Sequence, residues 1–192
     1  MKRSKAKRNR CLNLPYVREI NERGLTLVEQ FEGLQLKAYR DEVGVWTIGW
    51  GFTGWQHNDG TVYEGLVITR ARAVQFLQYN MHQCEGRVDA LVNVSLNDDQ
   101  FSALVSFDFN TGALGKSTLL KELNNGEYSD AADQLLRWVY AGGVKYRGLV
   151  RRRESERNLF YGKTPYIVER LGAAKGAKEP RWKNNVTVET GI

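Results

Sequence analysis

Phe31-Glu32-Gly33-Leu34-Gln35-Leu36-Lys37-Ala38-Tyr39-Arg40-Asp41-Glu42-Val43-Gly44-Val45-Trp46-Thr47-Ile48-Gly49-Trp50-Gly51 passes from a helical pattern to a strand-and-turn pattern. Val17, Ile20, Leu27, Val28 and Phe31 lead into it at near-helical spacing. Gly24 weakens that spacing, so two short helices meeting near it are expected, with Gly33 as a left-handed cap. Glu32 then falls in the last helical turn. Beyond it Tyr39, Val43, Val45, Trp46, Thr47, Ile48, Trp50 and Phe52 are strand formers, and Asp41-Glu42-Val43-Gly44 is a turn. Eight residues lie between Glu32 and Asp41, and five between Asp41 and Thr47. Two carboxylates at one cleft can act as proton donor and as base or nucleophile, the equipment of glycosidic cleavage. A helix-end charge, a turn former and a strand residue are the ordinary uses of these three, so the flanking chain has to decide.

Working outward, Gly54–Gly65 reads as a surface loop, with a third hairpin strand at Thr61-Val62-Tyr63. Helices follow. Thr69 caps one running toward Leu91, and Asn97-Asp98-Asp99-Gln100 forms a capping box before Phe101, Leu104, Val105 and Phe107. Ser117 caps Thr118–Leu123, Ser129 caps Asp130–Tyr140, and a last helix spans Leu149–Tyr161. One small sheet among helices is an α+β arrangement, mostly helical. The expected organisation is a basic tail over 1–14, one domain over 15–162 and a basic extension over 163–192 with a short helix at Tyr166–Leu171.

The net charge of +6 is concentrated at the ends. Residues 1–10 hold six bases and no acid, residues 163–192 six bases and three acids, and residues 11–162 sixteen bases and nineteen acids. The domain is therefore mildly acidic, and the total points to no specific nucleic-acid partner. The basic ends suit an anionic surface such as an outer membrane, or simply stay solvated. Cys11 and Cys84 form no CxxC pair and read as reduced thiols. His57 and His82 lack metal-ligand spacing, so no metal or cofactor is expected. The apolar run after the basic start is too short and polar for a signal peptide. A soluble cytoplasmic monomer is the expectation.

Glu32, Asp41 and Thr47 match without a gap the motif of the phage-type lysozymes, glycoside hydrolase family 24, which this chain resembles. A second block resembles the family at Gln100–Gly112. A third includes Trp138, Gly142-Gly143, Gly148 to Arg153 and Glu156. The resemblance implies a lysozyme-like fold, with a small hairpin lobe and a helical lobe. It also implies hydrolysis of peptidoglycan between N-acetylmuramic acid and N-acetylglucosamine, in a phage or prophage endolysin reaching the wall after membrane permeabilisation. Glu32 is then the general acid, its proton kept by partial burial, with Phe31 and the hairpin aromatics as an apolar wall. Asp41 stays ionised and handles water with inversion, and Thr47 positions that water or holds Asp41. Phe109 and Asn110 fall in the block that lines the sugar cleft, and Arg147 is a candidate for peptide carboxylates. Many members carry histidine where this chain has Phe52. A lytic transglycosylase and a non-catalytic wall- or membrane-binding protein are the rival classes.

Overall fold

The computed structural model describes residues 18–41, 43–56, 59–164 and 188–189. The tail over 1–14, Cys11, His57, the helix expected at 166–171 and nearly all of the C-terminal extension lie outside the described residues.

Asn21 caps helix α1 (Glu22–Glu32) by accepting the Gly24 N–H at 2.9 Å. One helix forms instead of the expected two, because Gly24 is where α1 packs against its neighbour. A Cβ there would lie 2.6 Å from the Ser102 Cβ. Gly33 ends α1 with φ 66° and ψ 144°, positive as expected but extended in ψ. The chain thus runs straight into β1 (Gln35–Arg40) without a left-handed helical cap. Strand β1 pairs antiparallel with β2 (Trp46–Gly49), placing Tyr39 opposite Thr47 across the turn that holds Asp41. The expected strand at Thr61–Tyr63 is absent. The segment after it closes the lobe instead, through a single bridge between Lys37 and Val67.

Helix α2 (Arg70–Leu91) starts at the Thr69 cap and joins two cores. Its Phe76 belongs to a small cluster with Ala38, Ile48, Phe52 and Val62. Leu77, Met81, Cys84 and Val88 belong to the main core. Phe52 stacks on Phe76, with ring centres 3.9 Å apart and an angle of 6°, so the position many family members give to histidine packs the small lobe here. The main core closes around α3 (Asp98–Thr111), whose Asn97–Gln100 capping box forms as expected. A 3-10 turn at Leu114–Lys116 leads to α4 (Thr118–Asn124), which Ser117 caps.

Helix α5 (Tyr128–Leu135) ends earlier than expected. Tyr140–Ala141 (β3) instead forms a hairpin with Val144–Tyr146 (β4), turning through Gly142 and Gly143 at φ 57° and 80°. Val188–Glu189 (β5) pairs with β4. Helix α6 (Arg147–Phe160) packs across α3 and α1.

Candidate functional site

Glu32 is the last residue of α1, and its carboxylate is about one quarter exposed (23%) at the rim of a cleft. Its Oε1 accepts a hydrogen bond from Arg152 Nη1. The Arg152 side chain is buried and spends its other nitrogens on the protein. Nε donates to Glu156 Oε1 at 3.1 Å and Nη2 to the Ser106 carbonyl at 3.3 Å. Glu156, fully buried, also accepts the Ser106 hydroxyl at 2.8 Å. Arg153 Nε lies 3.2 Å from Glu156 Oε2, and its Nη2 donates to Asn110 Oδ1 at 2.6 Å. Two carboxyl groups and two guanidiniums thus form one network tying α1, α3 and α6 together.

Burial pulls the Arg152 guanidinium down, but the charges of Glu32 and Glu156 outweigh it and leave Arg152 above its ordinary value. Burial wins at Arg153, which falls below it. The group seated against Glu32 Oε1 is the Arg152 guanidinium, whose carbon lies 5.5 Å from the Phe31 ring centre. With Oε1 held, Oε2 is the oxygen facing Gly51, where a Cβ would sit 4.0 Å from it. Gly51, whose φ of 88° favours glycine, lines the cleft together with Glu32.

Asp41 is held in its turn by two N–H groups, from Val43 at 3.0 Å and Val45 at 2.8 Å, both on Oδ1. Thr47 is buried, and its hydroxyl donates to the Val45 carbonyl at 3.1 Å. Asp41 and Thr47 are thus linked through the backbone of one residue, Val45, whose N–H reaches Asp41 and whose carbonyl accepts from Thr47. Tyr39 lies opposite Thr47 in the hairpin. Burial raises its phenol above the ordinary value, and the charges of Glu32 and then Asp41 add to the effect.

The cleft, about 280 Å³, is lined by Glu32, Gly51, Asn80, Cys84, Arg87, Phe109 and Asn110. It brings Glu32, Phe109 and Asn110 together. Asp41 and Thr47 lie outside this lining, and Arg147 sits exposed at the start of α6, also outside it. With its oxygen engaged by Arg153, Asn110 has its Nδ2 donors left for the cleft. Of the run Arg151-Arg152-Arg153, Arg151 is exposed while Arg152 and Arg153 are buried. Sequence reading did not assign Arg152, Ser106, Tyr39, Asn80 or Arg87 to the site. The signal for Arg152 was its i,i+4 spacing to Glu156.

The sequence profile of the phage lysozyme family matches residues 29–156. The chain is 41% identical over 145 residues to an endolysin of Bacillus phage B103, covering 73% of this chain and 53% of that protein. It is 40% identical over 144 residues to the endolysin of Salmonella phage P22, covering 74% of this chain and 97% of that one. Among solved structures, the muramidase domain of SpmX from Asticaccaulis excentricus superposes with a TM-score of 0.66 at 34% identity, covering 74% and 97% of the two chains.

Proposed function

The chain belongs to the phage lysozyme family, and we propose on that basis that it is an endolysin hydrolysing the β-1,4 bond between N-acetylmuramic acid and N-acetylglucosamine of peptidoglycan. The observation that carries this reading is the Glu32 carboxyl, fixed through Oε1 by Arg152 and open through Oε2 to a cleft walled by Phe109 and Asn110.

Glycoside hydrolysis needs a proton on the departing oxygen as the sugar gains oxocarbenium character. Glu32 supplies it from Oε2. The Arg152 guanidinium holds the other oxygen still, so the proton is delivered along one direction. Asp41, with Oδ1 tied to two backbone N–H groups, serves as the ionised base that takes a proton from the attacking water. Thr47 orients that turn through Val45, and so acts as a positioning residue. Asn110 donates from Nδ2 to a sugar hydroxyl or acetamido oxygen, and the Phe109 ring offers a sugar face. Arg147 is kept as a contact for peptide further out.

Product analysis of digested peptidoglycan tests this. Hydrolysis leaves reducing muramic acid ends, and inversion places them first in the α configuration. Anhydro-muramic products, lighter by one water, would instead assign the chemistry to a transglycosylase, and a β anomer appearing first would overturn inversion.

Among the described residues no helix is long and apolar enough to cross a membrane. Synthesis in the cytoplasm, action as a monomer and passage to the wall through a lesion made by another protein complete the proposal. The basic ends would aid contact with anionic envelope surfaces. Removing residues 163–192 should then weaken lysis of intact Gram-negative cells while sparing isolated peptidoglycan. Equal lysis by both forms would dismiss that role.

A further inference from the structure

Arg87 is the one cation among the residues lining the cleft, and its setting is that of an anchored ligand-binding guanidinium. Its side chain is about half exposed (48%), while that of its partner Asp108 is only 2% exposed. Asp108 Oδ2 accepts from Arg87 Nε at 2.7 Å, and Oδ1 accepts the Leu114 N–H at 3.3 Å. Arg87 Nη2 also donates to Cys84 Sγ at 3.1 Å. Burial pushes the Cys84 thiol up to about 12, so at neutral pH it props the arginine as S–H and is no nucleophile. These bonds use two of the five guanidinium N–H donors and leave three for the cleft. The buried end of the pair is the acid and the solvent-facing end is the base. Among the described residues lining the cleft, Glu32 is the one acid, and it is hydrogen-bonded to Arg152. A planar fork fixed from behind suits a carboxylate.

Within the proposed substrate, the anionic groups beside the cleaved bond hang from the lactyl arm of muramic acid. We propose that Arg87 is a specificity-determining residue that binds a carboxylate of the stem peptide carried on that arm. The inference rests on the muramidase reading above.

The test compares wild type, Arg87→Gln and the double variant Arg87→Gln/Asp108→Asn on three soluble glycans. One carries intact stem peptides, one has its carboxylates capped as neutral amides, and one has been stripped of peptide to bare lactyl carboxylates. The double variant removes the pair without stranding the buried Asp108 charge. Wild-type KM should rise about tenfold on capping, the order expected for one charge-assisted bidentate contact, with kcat nearly constant. Both variants should show that raised KM on intact glycan and be indifferent to capping. The lactyl carboxyl is an amide in intact glycan and is freed only on stripping, so wild-type KM on stripped glycan should be raised as on the capped one. A wild-type KM that is the same on all three would overturn the assignment. Variants that keep wild-type KM on intact glycan, or that still respond to capping, would overturn the assignment. Failure of wild type to cleave any of the three would instead overturn the muramidase reading.

Discussion

At the scale of single residues, the site is governed by how buried charges are shared. Glu32 does not stand in an apolar pocket. It is held by a buried arginine whose remaining bonds go to Glu156 and the Ser106 carbonyl. Glu156 is therefore the support of the candidate acid, two contacts removed from any substrate. Glu156→Ala should leave Arg152 and Arg153 without their shared counter-charge at 3% and 0% exposure. Breaking a buried pair in this way typically costs about 3–5 kcal/mol. Denaturant unfolding should show a loss of that order, accompanied by a fall in kcat as Arg152 loosens its hold on Glu32. A loss below about 1 kcal/mol, the range of surface pairs, would mean the network is not the support described.

At the scale of elements, the parts carried by short-range chemistry were legible in the sequence. Thr69, Asn97 and Ser117 cap the helices assigned to them, because a side-chain oxygen three residues before a backbone N–H is a local event. Asp41 in a turn and Thr47 on the following strand also emerge where spacing put them. Misreadings fell where tertiary contacts decide. Gly24 looked like a break between helices, yet it is the point at which α1 touches Ser102 of α3, seventy-eight residues on. Asp130–Tyr140 looked like one helix. Instead α5 stops at Leu135, and Gly142 and Gly143 turn a hairpin that delivers the chain into α6. Helix α6 then presents Arg152 and Arg153 inward and Arg151 outward, a division no local pattern assigns because it depends on where α1 and α3 lie.

At the scale of the whole molecule, α2 is the spine, packing one end in the small lobe and the other in the helical core, with the cleft along its length. That arrangement explains why the candidate site was only partly visible in the sequence. Glu32, Phe109 and Asn110 stood out by their motif blocks, but Arg87 and Asn80 reach the cleft from α2. Their meeting is a property of the fold, not of spacing. The fold sets the Glu32 carboxyl at the cleft, where its proposed role is to protonate a glycosidic oxygen. Glu32→Gln keeps the shape and can still accept the Arg152 hydrogen bond while removing the proton donor. The most direct measurement is therefore the rate of clearing of purified peptidoglycan by wild type and by Glu32→Gln, with matched thermal unfolding to show that both are folded. The account predicts a loss of at least about a hundredfold, the lower range for general-acid catalysis, in a variant that stays folded. A folded Glu32→Gln that clears peptidoglycan at the wild-type rate would contradict it.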